Sequence, residues 1–264
     1  MNEQLHDILD KLKLRGIAGC LNQALTDAER QGLAIQDVLY GLLTAEHQHQ
    51  ISRAMEYRLK RAKIPWDWAL DTFPFKEQPV VNRAQIMSLA KLDFIRRREN
   101  ITFIGSVGAG KTGLAIGLLR EALINGYRGR FYKAQDLLDE LYTSLADRTT
   151  SSQLKTLSTY DILVVDELGY LTLTPEQINM FFKLIDMRYD KCSTIITTNL
   201  DYSEWHDIFK NRSLVDAMVD RFKHHCTTIT INGPSLRATG ESIGQEPKPL
   251  ASTRLEGKSI GEEK

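Results

Sequence analysis

Residues Gly105, Ser106, Val107, Gly108, Ala109, Gly110, Lys111 and Thr112 form a glycine loop that closes on a lysine and a hydroxyl. An apolar run, Ile101 to Ile104, leads into the loop, and an amphipathic segment leaves it. A strand is therefore predicted before it and a helix after it, the context in which G-x-x-x-x-G-K-[ST] cradles phosphate. Glycines let backbone amides turn inward around phosphate oxygens. Lys111 supplies a mobile positive charge for the outer phosphates, and Thr112 offers a hydroxyl to Mg²⁺. The positive end of the following helix adds to the cradle.

Two further stretches fit the same chemistry. Tyr160-Asp161-Ile162-Leu163-Val164-Val165-Asp166-Glu167 is a continuous apolar run ending in two carboxylates. Such a run reads as a strand buried on both faces of a parallel sheet. Carboxylates at its end are costly unless a cation or a reaction uses them. Asp166 suits Mg²⁺ beside Thr112, and Glu167 is the candidate base that polarises an attacking water. An adjacent Asp-Glu pair favours hydrolysis over transfer to a second substrate, and ATP is the expected nucleotide. Asn199 closes a third predicted strand, 193–198. At the C-terminal edge of an α/β sheet it either contacts the γ-phosphate or the attacking water, or simply forms a turn before Asp201. The segment lacks the Asn-Lys-x-Asp of a guanine-reading site.

The elements that must position these residues are legible in the 264-residue chain. Its length suggests about two domains, and its 42% apolar content supports a sizeable core. No apolar run approaches the roughly 18–20 residues of a membrane span, and the first residues are no signal peptide, so a cytoplasmic protein is expected. Cys20, Cys192 and Cys226 are scattered and suggest neither zinc nor a disulfide framework. Net charge is +0, so only local clusters point to nucleic acid. Arg53, Arg58, Lys60, Arg61 and Lys63 form one and Arg96, Arg97 and Arg98 another. Each reads as a solvated helix face or, jointly, as a basic stripe for DNA phosphates.

Residues 1–63 read as a small all-helical domain, with Ile35, Val38, Leu39, Leu42 and Leu43 at the spacing of one buried helix face. Leu12, Leu14, Ile17, Leu21 and Leu25 form a second series interrupted by Gly16 and Gly19, and His47 and His49 are spaced for exposure and not for a metal. A linker over 64–81 carries Pro65, Pro74 and Pro79, which no helix can run through. Its Trp66, Trp68, Phe73 and Phe75 either anchor it onto the following domain or stack on bases. Helix resumes over 80–98. From Asn100 strands and helices alternate in a βαβ rhythm, with helices predicted over 111–125, 134–146, 175–189 and 211–225, and strands over 130–133 and 227–231. The Gly/Pro/Glu/Lys-rich tail, 239–264, reads as disordered.

Taken together, Gly105–Thr112, Leu163–Glu167, Thr197-Thr198-Asn199 and Asp220-Arg221 ahead of Gly233-Pro-Ser-Leu-Arg237 resemble the IstB-like helper ATPases of bacterial insertion sequences. The segments Leu12-Lys-Leu-Arg-Gly-Ile-Ala and Phe94-Ile-Arg-Arg-Arg-Glu-Asn resemble the same family. It stands near the DnaC helicase loaders, in the DnaA-related part of the AAA+ superfamily. The likeness runs from the N-terminal helices through Arg237. It implies an α/β AAA+ P-loop NTPase domain over 82–238 that uses ATP and Mg²⁺ at sites shared between subunits of a homo-oligomer. It also implies binding to duplex DNA and activation of an IstA-type transposase. Asn199 would be the sensor of the γ-phosphate, Arg221 the finger reaching a neighbour's site with Arg212 its rival, and Arg237 a second sensor. Ser106, Val107 and Ala109 depart from the residues common in the family's loop, although the glycines and Lys-Thr remain. Little helical sequence follows Arg237 to build a lid. The alternative function is that of a DnaC-like loader of a replicative helicase.

Overall fold

The structure is a computed structural model that describes residues 2–169, 171–209 and 212–237. The chain divides into two compact units, Met1–Lys60 and Arg61–Lys264. The tail expected to be disordered, 239–264, lies outside the described residues.

The first unit is helical, with α1 Asn2–Lys11, α2 Arg15–Gln31 and most of α3 Ile35–Arg61. Leu9, Ile17, Leu21 and Leu42 form its core, with Leu14, Ala18, Leu25 and Val38 packed around them. The predicted stripe on α3 is corrected here, since Ile35, Leu39 and Leu43 are exposed. The inward seam runs through Val38 and Leu42, which the prediction includes, and on to Glu46, which it does not. Nor do the glycines interrupt α2. At Gly16 it approaches α3 so closely that a Cβ would stand 2.7 Å from the Glu46 Cα. No side chain caps α2 at Leu14. The buried Glu46 carboxylate does so from α3, accepting the amides of Gly16 at 2.7 Å and Ile17 at 3.1 Å. An anion at a helix N-terminus satisfies amides that have no partner within the helix.

The second unit is a five-stranded parallel sheet, β1 Asn100–Gly105, β2 Gly129–Lys133, β3 Ile162–Asp166, β4 Ser193–Thr198 and β5 Cys226–Ile231, ordered β2-β3-β4-β1-β5. The three inner strands are buried throughout, which explains the unbroken apolar run of β3, while β1 and β4 also bury Asn100, Thr102, Ser193, Thr194, Thr197 and Thr198. The predicted helix over 80–98 is two short ones, α4 Arg83–Leu89 and α5 Asp93–Arg96, separated where Leu92 turns left-handed at φ 66°. Helices α6 Lys111–Ile124, α7 Ala134–Ala146 and α9 Pro175–Arg188 match their predictions to within a residue, as does α11 Arg212–His224. Helices α8 Thr150–Ser158 and α10 Trp205–Phe209 were not anticipated.

The linker anchors on this unit through its aromatics. Trp68 lies over Gly113 and Leu70 over Gly117, both on α6. Asp67 pairs with Arg120, and Phe73 and Phe75 meet edge to face at 4.8 Å. At the margin of the sheet, the Phe131 amide of β2 donates to the Ala62 carbonyl at 2.8 Å, and Arg130 donates to the Arg61 carbonyl at 2.6 Å. At the opposite end of the strands, buried Arg188 donates to the carbonyls of Leu157 (2.7 Å), Tyr160 (2.9 Å) and Ser193 (2.5 Å) and to the Thr194 hydroxyl (3.0 Å). Burial pushes its pKa down to about 10, against the opposing pull of Cys192 and Asp161. Among the described residues, no helix is long and apolar enough to cross a membrane.

Candidate nucleotide site

Strand β1 ends at Gly105, and α6 begins at Lys111. Between them the chain turns through left-handed conformations at Gly108, φ 81°, and Gly110, φ 92°. A side chain would be strained at either position. The Lys111 ammonium donates to the carbonyls of Gly105 and Ser106, each at 2.8 Å. Burial lowers its pKa, the Asp166 and Glu167 carboxylates act to raise it, and the nearby Arg237 lowers it further. Arg237 itself is exposed, on a segment whose Leu236 amide donates to the Gly108 carbonyl at 2.9 Å.

Asp166 stands at the C-terminal end of β3 and is 1% exposed. Its Oδ1 accepts the Thr112 hydroxyl at 2.8 Å and the Thr197 hydroxyl at 2.6 Å. Burial raises its pKa, the two hydroxyls oppose that, Glu167 adds to the rise and Lys133 lowers it. The sheet order explains the convergence, because β4 lies between β1 and β3 and brings Thr197 between their ends. Thr197 also accepts the Glu167 amide at 2.9 Å, and its carbonyl accepts the Leu168 amide at 2.8 Å. Both bonds hold Glu167 in a left-handed conformation, φ 59°, with its side chain exposed. A non-glycine residue held this way stores strain of the kind that collects at functional sites. Asn199, half-buried after β4, lies against Gly169, where a Cβ would stand 2.4 Å from its Oδ1.

The structure thus brings Lys111, Thr112, Asp166 and Arg237 together around the loop, with Glu167 and Asn199 at the adjoining strand ends. Thr112 and Asp166 present a hydroxyl and a carboxylate, hard oxygen donors of the type Mg²⁺ takes, so the donor set fits that ion. Arg221 lies elsewhere. It pairs at 2.7 Å with Asp186 of α9, not with the neighbouring Asp216 or Asp220, and among the described residues no hydrogen bond or ion pair links it to the loop. The side chain of Arg212 lies outside the described residues. Of the basic candidates for DNA, Arg53, Arg58, Lys60 and Arg61 fall in the last nine residues of α3, and Lys63 follows. The other basic cluster is tied down locally. Arg96 meets Tyr127 and Asp93, Arg97 pairs with Glu99 at 2.9 Å, and Arg98 donates to the Asp190 carbonyl at 2.8 Å.

The sequence model of the IstB-like ATP binding proteins matches residues 7–243. The chain belongs to that family. It is 35% identical to an insertion sequence IS21 ATP-binding protein of Pseudomonas aeruginosa, over 89% of this chain and 88% of that one. It is also 35% identical to the corresponding IS232 protein of Bacillus thuringiensis subsp. berliner, over 89% and 94%. Among solved structures, the DnaC helicase loader superposes with a TM-score of 0.54 at 29% identity, covering 63% of this chain and 98% of that chain. A DnaA replication initiator bound to AMPPCP and single-stranded DNA shares the fold at 20% identity, TM-score 0.51, over 62% of this chain and 49% of that chain. The second unit is accordingly an AAA+ domain of the DnaC and DnaA type.

Sequence reasoning assigned no role to two residues of the site. Thr197 joins Asp166 to Glu167, and its signal was a hydroxyl at the buried end of a strand one place before another threonine and Asn199. Gln78 reaches the loop from the linker, and nothing in the local sequence distinguishes it from an exposed glutamine between prolines.

Proposed function

We infer that this protein is an ATP-hydrolysing transposition helper that assembles on duplex DNA and activates an IstA-type transposase. The observation that carries the ATPase reading is the unbroken path Thr112–Asp166–Thr197–Glu167, which ties the phosphate loop to the candidate base. The loop amides and Lys111 bind the phosphates, and Thr112 and Asp166 hold Mg²⁺. That ion, when bound, neutralises phosphate charge as the γ-phosphoryl departs. Glu167 accepts a proton from water as its oxygen attacks the γ-phosphorus. The bond from that phosphorus to the bridging oxygen breaks and ADP leaves. Asn199 orients the γ-phosphate or the water.

Assembly enters through Arg221. Set apart from its own loop and exposed at the surface, it is free to serve the site of a neighbouring copy on release from Asp186. The exposed basic residues Arg53, Lys60 and Lys63 hold DNA through phosphates, alongside Arg58 and Arg61, without reading sequence. The relatives at 35% identity are proteins of insertion sequences, which supports the transposition reading. The likeness to a helicase loader favours a second one, in which the N-terminal helices grip a helicase in place of duplex DNA. Sedimentation with duplex DNA tests the first reading. Assembly with Mg²⁺ and a slowly hydrolysed ATP analogue, absent with ADP and absent in Lys111→Ala, is the expected result. Failure to assemble on duplex in any nucleotide state overturns it in favour of the loader.

A further inference from the structure

A loop that binds phosphate through its amides must turn its carbonyls away from the ligand, and those carbonyls need donors of their own. In this loop two of those donors come from outside. The Gly108 carbonyl accepts the Leu236 amide at 2.9 Å, and the Ala109 carbonyl accepts the side-chain amide of Gln78 at 3.2 Å. The same Gln78 nitrogen donates to the Pro234 carbonyl at 3.0 Å. The Ser106 hydroxyl donates to the Gly233 carbonyl at 3.1 Å. One fully buried amide therefore binds the linker, the loop and the segment after β5 into a single brace.

The orientation of that amide follows from its partners. Two carbonyls face Nε2, and turning the group over would set its oxygen against both. Among the described residues Oε1 is buried with no hydrogen-bond partner, and it crowds Gly233, where a Cβ would stand 1.7 Å away. A buried acceptor without a donor is unfavourable, and an apolar side chain would fill the space without that cost. What the amide supplies in return is its pair of donated bonds. Backbone geometry around it leaves little freedom, since the Gln78 amide donates to the Pro74 carbonyl and its carbonyl accepts the Val81 amide.

We propose that Gln78 is a positioning residue for nucleotide binding, holding the Ala109 carbonyl outward so that the loop amides are aligned for phosphate before ATP arrives. This rests on the ATPase reading given above and adds to it a residue of the linker. It makes the linker part of the nucleotide site, so that strain on the linker alters affinity for phosphate. Gln78→Met keeps the volume and removes both bonds. Its expected signature is a roughly tenfold weaker Kd for Mg-ATP, about 1.4 kcal/mol. KM should rise in step and kcat should stay within about twofold, with only a small drop in melting temperature without nucleotide, since two carbonyls lose a donor while the unpartnered Oε1 is removed.

The experiment measures Mg-ATP binding by calorimetry on full-length wild type, Gln78→Met and Lys111→Ala, with hydrogen exchange across residues 105–112 in the absence of nucleotide. Faster loop exchange together with weaker binding in Gln78→Met supports the proposal. Unchanged exchange with Kd within about twofold of wild type overturns it, and leaves the ATPase reading standing if Lys111→Ala fails to bind. Absence of binding by the wild type instead removes the ATPase reading and this proposal with it. Should Gln78→Met melt early, Leu236→Pro decides. It removes the donor to Gly108 without touching Gln78, and it must weaken binding in the same direction or the brace has no role.

Discussion

Thr197→Val removes one oxygen from the middle of the site and makes a sharp test of how Asp166 is held. In the folded protein that hydroxyl donates to Asp166 at 2.6 Å and accepts the Glu167 amide at 2.9 Å, in surroundings where Asp166 is 1% exposed. A hydrogen bond to a charged group contributes about 1.5–3 kcal/mol, and a neutral one about 1 kcal/mol. With the carboxylate ionised, the substitution should therefore cost about 2.5–4 kcal/mol of folding stability, a large share of the ~5–15 kcal/mol typical of a domain. As the carboxyl protonates, the first contribution shrinks to that of a neutral bond and the cost falls to about 2 kcal/mol. The sign follows from burial, which raises the folded pKa of Asp166 above its ordinary 3.8. Stability associated with this group is fully present below 3.8 and is lost as pH rises through the folded value. Losing a bond to the ionised form raises that value further, so the variant loses more than wild type on the same climb. Urea unfolding of wild type, Thr197→Val and Thr197→Ser at about pH 8 and about pH 4 measures the difference. Thr197→Ser keeps the hydroxyl and should stay close to wild type. An equal penalty for Thr197→Val at both pH values, or an equal penalty for serine and valine, refutes the reasoning.

Arg188→Met should destabilise the AAA+ unit by at least about 3 kcal/mol, because three buried carbonyls and a hydroxyl lose their donor together. A melting temperature within a few degrees of wild type counts against that account. Burial acts to raise the pKa of Glu46, yet the amides of Ile17 and Gly16 and the Gln50 side chain bring it below its usual 4.5. Its contribution is present above 4.5 and fades as pH falls through the lower folded value. Hydrogen-exchange protection at Gly16 and Ile17 should show that acid step in wild type and lack it in Glu46→Gln; a step that survives in the variant removes the assignment. Arg221→Ala should bind ATP normally and lose assembly-dependent hydrolysis by at least about 10³-fold, the low end for an arginine finger. Mixing it with Lys111→Ala should restore part of the activity, and a mixture as inactive as its components disproves service in trans.

Legibility in the sequence followed how local each signal was. The loop at 105–112 and the strand at 162–166 were readable because glycine spacing and an unbroken apolar run each have few alternative uses. Helix α8 was missed because Thr150-Ser-Ser-Gln has none of the apolar periodicity that marks a buried face, with only Leu154 and Leu157 packed inward. The α3 stripe reads too wide in the sequence because Ile35, Leu39 and Leu43 satisfy helical spacing alongside the true seam residues Val38 and Leu42. What continues that seam is a carboxylate, Glu46, which no apolar count would place inside. Arg188 and Gln78 were invisible for the same reason. Their burial depends on acceptors contributed by distant parts of the chain, and the three arginines at 96–98 look free in sequence but are tied to Tyr127, Asp93, Glu99 and Asp190.

Strand β2 ends the sheet on one side, and an outermost strand offers unsatisfied main-chain groups to any other chain that meets it. Here the Phe131 amide is already spent on Ala62, and the Arg130 guanidinium is held over that border by Arg61. Pairing of another chain at that point of the margin is therefore blocked. The proposed assembly would gather many copies of the chain at one place on DNA, where strand-to-strand pairing at an edge is a hazard. In that assembly, copies meeting at the β2 margin would join through side-chain surfaces, which can let go when the nucleotide is spent.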